Sequence, residues 1–183
     1  MTKFIGNILD IFDCDKLISQ TQEHTGETHR GHLPLPEDHP KYKDFILQDT
    51  MAKKAGYDTN GAMEFRHFKP GEHFDQSFVD IFSNYVNAIP SIVFVSEISP
   101  GKMAPWHYDI DLDWHNDKDK GEQVRYHLHL SKPADGHVFI VDKEVFYNTP
   151  QGNVYQWEDP SSWHAGTNCG IETKYIFSFK GYA

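Results

Sequence analysis

The sequence predicts a mainly β protein with flanking helices, in which the strands form a jelly roll. Short runs rich in valine, isoleucine and aromatic residues follow Pro90, and turn residues such as those at 149–152 separate them. Aromatic residues make up 14% of the chain, which favours a β-rich protein with an aromatic interior. The length of 183 residues suits one domain with a real core. We expect a mixed helical part, 1–90, packed on a jelly-roll core, 91–183.

The sequence of the first 90 residues predicts few helices and strands. Residues 5–11 suit a short strand, and 13–22 suit a short helix capped by Asp13. The polar segment 21–36 predicts a loop. Its histidines invite a metal interpretation, but their spacing matches no closed zinc set, which favours a solvated loop. Apolar residues at helical spacing, with proline and glycine at the boundaries, predict helices over 41–55 and 73–89.

The strands predicted in the second half are 91–98, 102–107, 123–131, 136–141, 144–147, 153–157, 162–167 and 173–180. Two of them alternate strongly. In 123–131 one face is apolar and the other carries Arg125, His127 and His129. That polar face either lies in water or lines the mouth of the barrel. In 173–180 an aromatic face opposes a face that begins with Lys174, a cation that needs an anionic partner inside the barrel.

Three separated residues predict a metal site. His107 and Asp109 are two residues apart, so on an extended strand their side chains point to the same side. With 12 histidines in the chain, this pattern can arise by chance, but the run 91–98 and a turn precede it, which places it in a strand context. His164, just before the last strand, completes two histidines and one carboxylate. This is the ligand set of non-haem Fe(II) oxygenases.

The second half of the chain resembles a known family. His107-x-Asp109, the distant His164 and a basic residue ten positions later resemble the 2-oxoglutarate-dependent dioxygenases. More narrowly, residues 96–180 resemble the aspartyl/asparaginyl β-hydroxylase-like group, which includes free-proline hydroxylases. The matching residues are Ser96, Pro100, Gly101, His107, Asp109, Arg125, Tyr126, His127, Leu128, His164 and Lys174. The resemblance implies a double-stranded β-helix of the cupin-like type.

The resemblance also implies the cofactors and their partners. Fe(II) would be bound by the three predicted ligands, and dioxygen and 2-oxoglutarate would be the co-substrates. Ser96 and Lys174 would bind the C5 carboxylate of 2-oxoglutarate, and Arg125 or His127 would bind the C1 carboxylate or the substrate. The family usually has arginine at the position of Lys174, and a lysine binds a carboxylate as a point charge rather than a planar fork.

The acidic segment 111–120 reads as a loop inserted beside the metal. Its aspartates superficially resemble a calcium loop, but neither register has the required glycine at position six. We interpret it as a lid over the substrate, with Trp114 and His115, together with Trp106 before the first ligand, in contact with that substrate.

The predicted function is hydroxylation of an aliphatic C–H bond in an amino acid or peptide side chain. A metal-binding cupin without 2-oxoglutarate and a non-catalytic ligand-binding barrel stay open as alternatives. The net charge of −10, without a run of lysine and arginine, argues against nucleic acid as a partner. No apolar stretch of membrane-spanning length appears. Cys14 and Cys169 match no redox or metal pattern, so we expect ordinary thiols in a soluble, cytoplasmic protein.

Overall fold

Antiparallel strands in two sheets dominate the structure, a computed structural model that describes residues 1–30, 37–38, 42–54, 62–107, 109 and 120–183. The strands are β1 Thr2–Asn7, β2 Glu27–Arg30, β3 Glu64–Phe68, β4 Ile89–Ile98, β5 Met103–His107, β6 Gln123–His129, β7 His137–Val141, β8 Glu144–Tyr147, β9 Asn153–Trp157, β10 His164–Asn168 and β11 Lys174–Tyr182. The helices are α1 Cys14–Gln22, α2 Tyr42–Lys54 and α3 Ser77–Val86. This mainly β composition confirms the predicted fold class.

The two sheets form a jelly roll that does not close into a barrel within the described residues. The major sheet has seven strands in the order β1-β9-β6-β11-β4-β3-β2, and the minor sheet has four in the order β5-β10-β7-β8. Every strand pairing is antiparallel. The chain passes repeatedly between the two sheets, for example from β4 to β5 and from β10 to β11.

One face of the major sheet carries the main hydrophobic core. Aromatic and aliphatic residues of β4, β6, β9 and β11 pack there against α1 and α3. Phe177 in β11 is fully buried and contacts the rings of Phe12, Phe74 and Phe82. Because successive side chains in a strand alternate, the opposite face of the same strands is directed toward the minor sheet. A smaller cluster of Phe139, Val141 and Trp157 lies there.

The predicted helices are present, with corrected boundaries. The helix α1 begins after Asp13, whose side chain accepts a hydrogen bond from the Lys16 amide at 2.9 Å, so that capping prediction is confirmed. The helix predicted over 73–89 is wrong at both ends. It begins only at Ser77, and Asn87 in the left-handed conformation stops it before β4. Pro90 was expected to end the helix but instead lies inside β4.

The N-terminal part contains two strands that the sequence analysis did not predict. The loop expected over 21–36 holds β2, and β3 follows α2; the two pair with each other at one edge of the major sheet. The strand expected over 5–11 is displaced to β1, because residues 8–12 form a turn with hydrogen bonds from the Ile11 and Phe12 amides to the Ile8 carbonyl. No helix among the described residues has the length and apolar composition that crossing a membrane requires.

Replacement of Phe177 by alanine should destabilise the protein by about 3–5 kcal/mol, because it opens a cavity in the main core. The free energy of unfolding from a denaturant titration measures this effect. Ile171→Ala is the control, since Ile171 is 93% exposed. Equal losses for the two variants would contradict this assignment of the core.

Candidate metal centre and adjoining site

Two neighbouring strands bring the predicted metal ligands together. The strands β5 and β10 pair antiparallel, with His107 directly opposite His164. Asp109 lies two residues beyond the end of β5 and turns back toward both imidazoles. Its Oδ1 atom is 3.5 Å from His107 Nε2 and 3.8 Å from His164 Nε2. One ligand atom from each residue lies within 4.8 Å of the other two, and no other such group occurs among the described residues.

Backbone carbonyls fix the tautomers of the two histidines. Nδ1 of His107 lies 2.5 Å from the carbonyl oxygen of Pro105, and Nδ1 of His164 lies 3.1 Å from that of Ser162. A carbonyl oxygen can only accept, so each Nδ1 carries a proton. Nε2 of His164 lies 3.3 Å from Arg125 NH2, a group that can only donate, so this nitrogen accepts a hydrogen bond from the guanidinium. Burial, together with His107 and Arg125, keeps the pKa of His164 well below its usual value. The donor set is therefore ready for a divalent metal.

The second oxygen of Asp109 is held by two buried cations. Its Oδ2 atom lies 2.7 Å from Arg125 NH2 and 2.8 Å from Lys180 Nζ. These contacts are ion pairs rather than well-aligned hydrogen bonds. Burial alone would raise the pKa of Asp109, but the charges of Arg125 and Lys180 hold it well below the usual range. The carboxylate is thus ionised, with one oxygen directed toward the histidines and the other toward the cations.

Lys180 is a site residue that the sequence analysis missed. It is only 1% exposed, although it lies near the end of β11. The sequence pattern could have identified Lys180, because it lies two residues after Ser178 and therefore on the same strand face as Lys174. The partner of Lys180 across the sheet is Arg125 in β6, which explains why both cations reach one carboxylate.

The polar face of β6 is buried, as the barrel-mouth interpretation requires, and is not exposed to water. Arg125 is 3% exposed and His127 is 1% exposed. The guanidinium of Arg125 stacks on the Trp157 ring at 3.7 Å, and its NH1 donates to the Pro160 carbonyl at 3.3 Å. Burial lowers the pKa of His127 well below its usual value and that of His129 to about 3. These two histidines are therefore neutral at pH 7.

Lys174 lies at the other end of the same inner face. It is buried, and its Nζ donates to the Val138 carbonyl and lies 5.3 Å from the centre of the Phe139 ring. Among the described residues it contacts no carboxylate. Burial lowers its pKa to about 7. Burial of an ammonium without a counter-ion costs free energy, and a bound anion would reduce that cost.

A glycine lies close to Ile98 and Lys174 on the strand that carries His164. Gly166 is two residues after His164 on the same face of β10. A Cβ atom placed there would lie 2.9 Å from Ile98 Cδ1 and 3.6 Å from Lys174 Nζ. Any larger residue at this position would therefore press against Ile98 and lie in contact with Lys174.

Two further predicted site residues, Ser96 and Trp106, lie on different strands and differ in exposure. Ser96 in β4 is half-buried and pairs with Ile176, so it lies on the inner face near Lys174. Trp106 is 39% exposed and stacks on Trp163 at 6.2 Å. By strand alternation it projects from the face of β5 opposite His107. Its contact with substrate remains a prediction.

Trp114, His115 and the lid predicted over 111–120 lie outside the described residues, apart from Lys120, as does most of the rejected calcium loop.

Imidazole and phenyl rings cover the inner face of β2, β3 and β4 next to the site. His29 stacks on Phe65 at 5.2 Å, and His67 stacks on Phe94 at 4.1 Å. The rings of His29 and His67 are 4.4 Å apart. Burial lowers the pKa of His67 to about 3, so this surface is uncharged at pH 7. The sequence analysis missed it because three strands contribute its rings.

No protein-family model and no curated protein matches the sequence. The fold, however, is similar to solved structures. AviO1 from Streptomyces viridochromogenes Tue57 matches with a TM-score of 0.50 and 12% identity, over 100% of this chain and 89% of that chain. The viral collagen prolyl hydroxylase of Paramecium Bursaria Chlorella virus-1, solved with 2OG, matches with a TM-score of 0.47 and 19% identity, over 86% and 95% of the chains.

An oxidoreductase of the 2OG-Fe(II) oxygenase family from Burkholderia pseudomallei matches with a TM-score of 0.42 and 11% identity, over 64% of this chain and 65% of that chain. At such identities the likeness is one of fold. The narrower aspartyl/asparaginyl β-hydroxylase-like assignment stays a prediction.

Replacement of His107 by alanine should abolish stoichiometric binding of Fe(II) or Co(II), because it removes one of three converging ligands. Anaerobic equilibrium dialysis with metal analysis measures this. His29→Ala is the matched control, since it removes a histidine that lies in β2 of the major sheet and outside the triad. The thermal unfolding of both variants checks that the domain remains folded. Wild-type metal affinity in His107→Ala would refute the assignment.

Proposed function

We propose that this protein is an Fe(II)- and 2-oxoglutarate-dependent oxygenase that hydroxylates an aliphatic C–H bond of an amino acid, free or within a peptide. The observation that carries the proposal is the convergence of His107, Asp109 and His164, whose ligand atoms lie within 4.8 Å of one another. Two neutral imidazoles and one carboxylate on one side of a metal are the ligand set of non-haem Fe(II) oxygenases.

The site also fits 2-oxoglutarate. The buried ammonium of Lys174 lacks a carboxylate partner among the described residues, and Gly166 brings the strand of His164 close to it. Lys174 would bind the C5 carboxylate, and the hydroxyl of Ser96 would add a donor. His127 would donate toward the end of the co-substrate nearer the metal. Each role is supported by position on one continuous inner face.

The reaction consumes dioxygen and 2-oxoglutarate, forms succinate and carbon dioxide, and inserts one oxygen atom into the substrate C–H bond, and the bound iron supplies this oxidising chemistry. The chain's residues position the reactants. Arg125 and Lys180 keep Asp109 ionised and oriented, and the carbonyls of Pro105 and Ser162 orient the histidines. Burial between the two sheets excludes water from this chemistry.

The finer proposal places the protein among aspartyl/asparaginyl β-hydroxylase-like enzymes. It is supported by Arg125 and His127 on the buried face of β6, where the resemblance requires them. One feature differs from what the resemblance implies. Arg125 forms an ion pair with Asp109, the proposed carboxylate ligand, whereas the resemblance implies that it binds the C1 carboxylate or the substrate. We therefore propose that the main role of Arg125 is to orient Asp109.

The direct test is turnover without substrate. Anaerobic loading with Fe(II), followed by 2-oxoglutarate and dioxygen, should give succinate from the wild-type protein. Asp109→Ala should give none, because it removes one of the three proposed ligands. His29→Ala, outside the triad, should retain succinate formation. An iron-loaded wild-type protein that forms no succinate would refute the proposal and favour a metal-binding barrel of another kind.

The affinity for 2-oxoglutarate should decrease above about pH 7. The pKa of Lys174 without ligand is about 7, and a bound carboxylate raises it, so the complex must take up a proton at higher pH. Below pH 7 the affinity should be nearly constant, and above it the affinity should fall by about 10-fold per pH unit. Anaerobic titration of the Fe(II) protein, followed by its metal-to-ligand absorption band, measures this.

Lys174→Arg is the control for that pH dependence. A guanidinium remains charged throughout this range, so the variant should lack the decline above pH 7. Lys174→Ala should weaken 2-oxoglutarate binding about 10- to 100-fold while leaving iron binding intact, since a charge-assisted hydrogen bond contributes about 1.5–3 kcal/mol. The same pH profile in wild type and Lys174→Arg would contradict this role for Lys174.

A further inference from the structure

The tautomer of His127 is fixed by a neighbouring tryptophan. Trp157 Nε1 lies 2.7 Å from His127 Nδ1, and both side chains are buried. An indole N–H can only donate, so Nδ1 of His127 must be the unprotonated nitrogen. Burial keeps this imidazole neutral, which leaves its single proton on Nε2.

The Nε2–H of His127 has no acceptor among the described residues. Its nitrogen is fully enclosed and makes no hydrogen bond. Phe139 and Phe146 flank the ring at centroid distances of 4.8 and 4.9 Å, and Tyr155 stacks on it at 5.2 Å. A buried donor without an acceptor is costly. A ligand oxygen that enters the site would remove this cost.

The position of this donor identifies the ligand. On the inner face His127 lies between Arg125, which contacts Asp109, and His129, which is nearer Lys174. A molecule that extends along this face from the metal ligands to Lys174 would lie beside His127. In the proposed function that molecule is 2-oxoglutarate.

We propose that Trp157 is a positioning residue that fixes His127 as an Nε2–H donor to an oxygen atom of bound 2-oxoglutarate. The inference rests on the proposed function. Trp157 suits this role because its ring is itself fixed, by the Arg125 guanidinium stacked at 3.7 Å and by the edge of His164 at 4.9 Å. Trp157 thereby connects the orientation of the co-substrate donor to the metal centre.

The first measurement is the tautomer of His127 in the metal-free protein, from the ¹⁵N chemical shifts of its two ring nitrogens. In wild type, Nε2 should give a protonated-type signal and Nδ1 an unprotonated-type signal. Trp157→Phe, which keeps an aromatic ring but removes the donor, should populate both neutral tautomers. Tyr155→Phe is the matched control, because it changes another aromatic neighbour of His127 without touching Nδ1. A proton on Nδ1 in wild type would overturn the inference.

The second measurement is a double-mutant cycle on 2-oxoglutarate affinity in the anaerobic Fe(II) protein. Trp157→Phe should weaken binding about 3- to 10-fold, and Tyr155→Phe should leave it unchanged. A glutamine amide can donate without help from Trp157, so the effect of Trp157→Phe should disappear in the His127→Gln background. An equal loss in both backgrounds would mean that Trp157 acts only through packing, which overturns the inference.

Two further outcomes separate this inference from the proposed function. If Trp157→Phe does not fold, His127→Gln must still bind 2-oxoglutarate more tightly than His127→Leu, because only the first keeps a donor; equal affinities overturn the inference. If wild type binds 2-oxoglutarate and forms succinate but all His127 variants bind equally well, the inference fails while the proposed function stands. Absence of 2-oxoglutarate binding in wild type overturns both.

Discussion

The carboxylate of Asp109 is the group on which the arrangement of the site depends. Arg125 and Lys180 are almost fully buried, and Asp109 is the anion they share. Removing one partner of a buried ion pair typically costs about 3–5 kcal/mol, because the remaining charge is left without compensation. The same carboxylate directs its other oxygen to His107 and His164. The geometry of the candidate metal centre and the charge balance between the two sheets therefore involve the same residue.

Because side chains alternate along β6 and β11, one face of this strand pair packs in the core and the other lines the site. One face supplies aromatic and aliphatic residues to the core beneath the helices, and the other supplies the cations and histidines of the site. A backbone that is immobilised by a packed core holds its opposite face in place. Charged and neutral polar groups on that face are therefore preorganised without depending on mobile surface loops.

The sequence predicted the parts of the site that depend on local pattern. The His107-x-Asp109 spacing, the strand context of His164 and the two-residue alternation of β6 and β11 are all visible in short windows, and the structure brings these residues together between the two sheets. Features built from pairing between distant segments were missed. The contacts of Lys180 with Asp109 and of Trp157 with His127 each join separate elements, and β2 became a strand only through its hydrogen bonds with β3.

The predicted boundaries of the helix over 73–89 were wrong because they, too, depend on contacts between distant segments. The apolar spacing over 73–89 continues beyond α3 because β4 is also apolar, and the left-handed backbone at Asn87 separates the two elements. Periodicity alone does not distinguish a buried helix from a buried strand over so short a run. The tertiary context, in which β11 pairs along the whole of β4, decides in favour of the strand from Ile89 onward.

The charged groups at the two ends of the inner face differ in their partners, so the two ends are not equivalent. At the metal end, cations and the Asp109 carboxylate stabilise one another, so that end stays charged without a ligand. At the other end, among the described residues, Lys174 donates to the Val138 carbonyl and contacts no carboxylate, and burial lowers its pKa to about 7. A bound anion would stabilise its charge. A ligand with two acidic ends matches this arrangement, because one end can complete the metal centre while the other supplies the missing partner of Lys174.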